Sequence, residues 1–356
     1  MDIIATLNTA MAKGASDVHL IASSPPILRI YGSLEPLDGA VPLTAEDIND
    51  ALLQITTQEQ RETFQRNLEL DFSYTLPGVG RVRCNVLRQQ GTTSLAIRLL
   101  PPVTPTIDEL GLPQVCKDLV TRPRGLVVVS GPTGSGKSTT LAAMIQYLNT
   151  NQKRRVITIE DPIEYVYSSL NCVIVQRELG GDTLSFAEAL RHVLRQDPDA
   201  ILVGEMRDLE TAAAVLNVAE TGHLVLTTGH APSAPQALER IIDLFPPTER
   251  HLPQTRLASL LLGVLCQALV PRADGSGRIT AVEIMLANQP VRNLIREGKL
   301  YQLPNVIRTH AQLGMVTLDQ SLINLFREGI INHENLLAFC NEREEVEKLT
   351  DEAQIN

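Results

Sequence analysis

At 356 residues the chain has room for two domains with cores of their own, and its 44% apolar and 20% charged residues are those of a soluble globular protein. With 31 Lys and Arg against 41 Asp and Glu the net charge is −10, the wrong sign for a chain whose main partner is a phosphate backbone. Aromatics at 3%, with no Trp, leave few platforms for stacking single-stranded bases, so no nucleic acid partner is expected.

Five scattered cysteines, Cys84, Cys116, Cys172, Cys266 and Cys340, form no C-x-x-C pair and read as small buried hydrophobes in a reducing compartment. Met1 runs straight into a mixed sequence without a secretory pattern. The longest apolar run, about Leu257 to Val270, contains Ser259 and Gln267 and is too short to span a bilayer. The expectation is a cytoplasmic protein without direct membrane insertion, which meets a membrane only through a partner or its surface.

Residues 1–100 read as an α+β unit. Ile3 to Ala12 has helical apolar spacing, and Asp17–Ile21 and Pro26–Tyr31 alternate as strands before a turn at Gly32. Thr44 followed by Glu46 and Asp47 reads as an N-cap with an acidic first turn, opening a helix to about Gln54. A further helix is expected from Gln58 to Arg66. Asp71–Thr75, Gly80–Leu87 and Thr93–Leu99 then read as an antiparallel meander with turns at Pro77-Gly78 and Gly91. Three prolines between Leu100 and Thr106 resist helix and sheet, which places a linker over residues 101–114.

From 115 to 356 strands and helices alternate, the pattern of an α/β core with a mostly parallel sheet. Strands are expected at Leu126–Ser130, Arg155–Ile159, Ala200–Gly204 and His223–Thr228. The helices between and after them are Thr139–Leu148, Leu184–Arg195, Asp208–Glu220 and Pro235–Leu244. A more helical stretch is expected from about Thr248. The tail 342–356, with six acidic and two basic residues, is expected to fray in solvent.

The chemistry centres on Gly131-Pro132-Thr133-Gly134-Ser135-Gly136-Lys137-Ser138, followed by Thr139. It fits G-x-x-x-x-G-K-[ST] between a buried strand and a helix start, as a phosphate cradle requires. Glycines let several backbone N–H groups turn toward one anion, and the helix N-terminus adds partial positive charge. Lys137 reaches the β- and γ-phosphates and the Ser138 hydroxyl can ligate Mg²⁺, so ATP with Mg²⁺ is the expected cofactor.

Hydrolysis further needs a carboxylate that orients the metal and a group that positions water. Glu205, at the end of the Ala200–Gly204 run, is the strand-end carboxylate, with Glu where Asp is usual. The cluster Glu160-Asp161-Pro162-Ile163-Glu164 puts three carboxylates in five residues just past a strand; alone it would be a solvated turn, and beside a phosphate loop one of the three is expected to position water. His223 and His230 bracket a short strand. Lone strand histidines are more often structural, although two beside this loop can sense a γ-phosphate.

Six stretches carry a resemblance. The phosphate loop, Ile159-Glu-Asp-Pro-Ile-Glu-Tyr165, Val203-Gly-Glu-Met-Arg-Asp208 and Ala219-Glu-Thr-Gly-His-Leu-Val225 occur in the order seen in the secretion-superfamily ATPases of type II secretion and type IV pili. Gly14-Ala-Ser-Asp-Val-His-Leu20 and Val291-Arg-Asn-Leu-Ile-Arg-Glu297 resemble the N-terminal signature and C-terminal motif of the retraction branch. The chain also lacks the tetracysteine zinc motif of the extension branch.

The resemblance implies a homohexameric ring of PAS-like N-terminal and RecA-like C-terminal domains, docked on an integral membrane platform protein and working beside other pilus ATPases. By motif position, Glu164 resembles the general base, Glu205 the Walker B carboxylate, and His223 and His230 the His-box pair. Arg83 and Arg98 match arginines that approach the γ-phosphate. Thr228-Gly-His-Ala231 departs from the usual Thr-Leu-His-Thr.

The leading reading is a motor that turns hydrolysis into pilus disassembly. An accessory pilus or secretion ATPase shares the same motifs. A nucleic-acid translocase shares the RecA-like core, and nucleic-acid-stimulated turnover would mark it. A nucleotide-binding regulator would bind ATP tightly with negligible turnover.

Overall fold

A computed structural model of the chain describes residues 1–30, 32–76, 80–100 and 103–354, with side chains described as far as 350. The expected turn at Pro77-Gly78, Tyr31, and Pro101 and Pro102 of the expected linker lie outside the described residues. The chain divides into two units, residues 1–103 with 164–166, and residues 104–163 with 167–356.

The first unit contains α1 (Ile3–Ala12), β1 (Asp17–Leu20), β2 (Ile27–Ile30), β3 (Ser33–Pro36), α2 (Ala45–Ile55), α3 (Gln58–Asn67), β4 (Glu69–Leu76), β5 (Gly80–Gln89) and β6 (Thr92–Leu99). Thr44 and Asp47 form a capping box, each side chain accepting the other's backbone N–H, at 3.1 and 2.9 Å, so α2 starts where the sequence placed it. Thr57 and Gln60 repeat the device for α3. The strands form one antiparallel sheet ordered β3-β2-β1-β6-β5-β4.

Val82, Cys84 and Val86 of β5 alternate inward against Ile3 and Leu7 of α1 and Ile48 and Leu52 of α2. The opposite face is polar. Gln90 and Gly91, at φ 49° and 79°, make the two-residue turn between β5 and β6 and put Arg83 opposite Arg98.

The second unit runs α4 (Val115–Val120), β7 (Gly125–Ser130), α5 (Lys137–Asn151), β8 (Arg155–Glu160), β9 (Val173–Glu178), α6 (Phe186–Val193), β10 (Ala200–Val203), α7 (Leu209–Glu220), β11 (Leu224–Thr228), α8 (Ala234–Asp243), α9 (His251–Leu260), β12 (Leu261–Pro271), β13 (Arg278–Leu286), α10 (Gln289–Arg296), α11 (Leu303–Thr309), α12 (Leu318–Arg327), α13 (His333–Phe339) and α14 (Arg343–Gln354). Its sheet is ordered β13-β12-β7-β11-β10-β8-β9, parallel except for edge strand β13.

Helices cover both faces, so β7 is buried along its whole length. Leu126 and Val128 join Leu190, Val215 and Leu238 of α6, α7 and α8. Val127 and Val129 join Met144 and Ile145 of α5. Ile107 and Leu112, within the expected linker, are buried in this second core.

The stretch after Thr248 is more helical than what precedes it, as expected, running from α9 to α14, but the apolar run at 261–271 within it is β12, buried because it pairs with β7 on one side and β13 on the other. The edge strands β3 and β9 carried no distinct strand pattern. The acidic tail does not fray at its start, because α14 buries Val346 and Thr350, one turn apart, and Val346 packs with Leu322 and Leu336.

Candidate functional site at the carboxyl end of the parallel sheet

Register decides which residues gather. Val129 of β7 lies opposite Thr228 of β11, Thr227 opposite Val203 of β10, and Val203 opposite Ile159 of β8. The residues following these positions are the phosphate loop, His230, Glu205 and the acidic cluster, so one end of the sheet collects what the sequence scattered over a hundred residues.

Gly131, Gly134 and Gly136 take φ of 142°, 78° and 88°, values strained for any residue with a side chain. A Cβ on Gly131 would also collide with the carbonyl oxygen of Gln267 in β12. The loop closes by this turn, and α5 begins at Lys137 with Gly136 as its N-cap and no side-chain cap. Its first-turn N–H groups therefore face the loop.

Lys137 is buried to 9% exposure, and its Nζ donates to the carbonyls of Gly131 and Pro132 at 2.9 Å each. The Ser135 hydroxyl is buried in the loop without a hydrogen-bond partner. A nucleotide phosphate fits this donor set, and the half-buried Ser138 fits its metal. Pro132, Thr133 and Gly134 are exposed at the mouth, and Thr139 is half-buried in the first turn.

Glu205 is held from two sides. Its Oε1 pairs with Arg207 Nε and its Oε2 lies 3.3 Å from His230 Nε2, with only 12% of the side chain exposed. Arg240 donates to the His230 carbonyl at 2.9 Å, fixing the loop that presents the ring. A cavity of about 310 Å³ opens here, lined by Arg207, Thr228, Gly229, His230 and Arg240 among others. Glu160 is the member of the acidic cluster anchored in this unit: its Oε1 accepts from Thr158 Oγ1 at 2.6 Å and Gln176 Nε2 at 3.2 Å.

His223 is not brought to this end. It precedes β11, its carbonyl accepts the Gly125 N–H at 3.0 Å, and its Nδ1 sits 3.0 Å from Thr221 Oγ1. A five-residue strand, roughly 16 Å long, separates it from His230. Strand polarity thus sends the two histidines to opposite ends of the sheet within one chain, with His230 on the side of the phosphate loop and His223 on the other.

Arg83, Arg98 and Glu164 belong to the first unit. Asp17, Arg98 and Arg83 stand in one row across β1, β6 and β5 on the polar face. Arg98 Nε pairs with Asp17 Oδ1 at 3.1 Å, so a carboxylate already attends one of the two adjacent guanidiniums. Glu164 is exposed.

Several residues escaped the sequence. Gln267, only 2% exposed, donates from Nε2 to Thr140 Oγ1 at 2.7 Å and pins α5 to β12 behind the loop. Glu283 of β13 accepts the Ala234 N–H at 2.6 Å at the start of α8, and burial raises its carboxyl against that hydrogen bond. Both sit on strands expected to be helical, which removed the signal. Arg292, in the 291–297 motif, donates to the carbonyls of Ala258, Ser259 and Leu261 at 2.6, 2.7 and 2.9 Å and so closes the C-terminal end of α9.

A parallel sheet with this loop on one strand and a carboxylate two strands away defines a P-loop nucleotide hydrolase. The family model described as type II/IV secretion system protein matches residues 1–297, and the chain belongs to that family. It is 45% identical over 335 residues to the type IV pilus retractation ATPase PilT of Pseudomonas aeruginosa, covering 94% of this chain and 97% of that one. Identity to the type IV pilus ATPase PilU of the same organism is 39% over 341 residues, covering 96% and 89%. The crystal structure of the pilus retraction motor PilT with bound ADP matches with a TM-score of 0.91 at 42% identity, covering 98% of this chain and 99% of that one.

Proposed function

We propose that the chain is the ATP-hydrolysing motor of type IV pilus retraction, working as a homohexamer at the cytoplasmic face of an integral membrane platform protein. The observation that carries this is a full-length likeness to a retraction ATPase together with an intact phosphate loop. Among the described residues no helix is long and apolar enough to cross a membrane, which fits docking through a partner.

Bound ATP with Mg²⁺ supplies the phosphoanhydride and the charge that polarises it. Lys137 exchanges its bonds to the Gly131 and Pro132 carbonyls for phosphate oxygens, and the loop N–H groups and the Ser135 hydroxyl complete the cradle. Ser138 and Glu205 would hold the metal. Glu164 takes the proton of the attacking water. His230, paired with Glu205, links the metal carboxylate to the loop between β11 and α8. Arg83 and Arg98 neutralise charge developing on the γ-phosphate.

The test has a cellular and a biochemical arm. Cells lacking the chain should display pili that do not retract. Rings mixed from Arg83→Ala and Lys137→Ala subunits should recover activity if the arginine acts across subunits; no recovery in verified mixed rings removes that version. The likeness to PilU keeps a second reading, an accessory ATPase, for which deletion would weaken retraction without abolishing it. Turnover stimulated by nucleic acid would move the chain to another class.

A further inference from the structure

One hydroxyl with no role above joins the phosphate loop to the His230 loop. Ser130 ends β7, directly before Gly131, and is fully buried. Its Oγ donates to the Ala231 carbonyl at 2.7 Å and accepts the Ala231 N–H at 2.9 Å. Ala231 directly follows His230 and is also fully buried. A hydroxyl that both donates to and accepts from one residue fixes that residue's backbone on both sides. At zero exposure no water takes over a broken bond, so each is costly to lose.

Gly229 completes the joint. A Cβ at position 229 would stand 3.0 Å from Ser130 Oγ and 3.4 Å from its Cβ, tighter than ordinary contact. Glycine at 229 thus leaves room for the Ser130 hydroxyl to reach the backbone of Ala231. Arg240 on the His230 carbonyl and Glu283 on the Ala234 N–H anchor the same loop farther along.

We propose that Ser130 is a positioning residue for hydrolysis: through Ala231 it ties the first residue of the phosphate loop to His230, so that a displacement of Gly131 moves His230 and its contact with Glu205. The inference rests on the assignment of His230 to turnover made above, and the test separates the two.

Steady-state phosphate release and ATP affinity are measured on the full chain for Ser130→Thr and Ser130→Val, which share a shape and differ in the hydroxyl. Each is made alone and with His230→Ala. Ser130→Ala, which removes only the oxygen, is run beside them in case neither branched residue is tolerated. The threonine variant should keep turnover within about threefold, whereas valine and alanine should lose about tenfold in kcat with KM within about twofold. In the His230→Ala background the valine or alanine loss should shrink to within about twofold, because residues acting as one unit are not additive.

If His230→Ala alone leaves turnover unchanged, the assignment of His230 fails and the inference falls with it. If His230→Ala is defective but Ser130→Ala is not, or costs the same factor in both backgrounds, Ser130 is only packing and the proposal is overturned.

Discussion

The two ends of β11 make an internal comparison. His230 leaves the carboxyl end and meets the half-buried Glu205 carboxylate, an arginine holds its carbonyl, and the Gly229 N–H just before it bonds to Val129 on the strand that carries the phosphate loop. His223 enters the amino end and meets Thr221 and the backbone of Val218. The residue type is the same and the sequence separation is seven, yet one end gathers charge and open backbone donors while the other satisfies its groups locally. In a parallel sheet every strand delivers its following loop to the same side, so chemistry concentrates there whatever the side chains are.

The strongest way to break the comparison is Lys137→Ala. The fold needs the loop backbone, not the ammonium, so turnover should fall by about 10² or more with the melting temperature nearly unchanged. Near-normal phosphate release would remove the carboxyl end as the site. Glu164→Gln should keep ATP binding by calorimetry while turnover falls by about 10², because an amide holds the shape and accepts no proton. Normal turnover there, with loss in Glu205→Gln, would move the base to the strand-end carboxylate. Arg292→Ala sharpens the contrast from outside the site. It strips the partners from three carbonyls at the end of α9 and should cost about 1–3 kcal/mol of stability, read as a lower melting temperature, with KM for ATP unchanged. An unaltered melting temperature would show that solvent caps α9 equally well.

What the sequence revealed follows the same division. The phosphate loop was legible because its motif sits between a buried strand and a helix start, and its glycines at 131, 134 and 136 take positive φ that residues with a side chain rarely adopt. Thr44 announced α2 through local capping chemistry, and a tight turn at Gly91 was enough to set Arg83 beside Arg98. β12 was illegible because a strand buried on both faces is a continuous apolar run, which periodicity does not separate from a buried helix. That error hid Gln267 and Glu283. The tail misled for a different reason: its charge count reports the solvent face of α14 and says nothing of Val346 and Thr350 on the other. The Ser130–Ala231 pair spans 101 residues and leaves no local trace at all.

The most direct measurement of the central claim is phosphate release by the full chain carrying His230→Ala or His223→Ala, assayed side by side with Mg²⁺-ATP. His230→Ala should lose about tenfold or more, and His223→Ala should stay within about twofold of the parent. Equal losses, or a larger one at His223, would contradict the placement of hydrolysis at the carboxyl end of the parallel sheet.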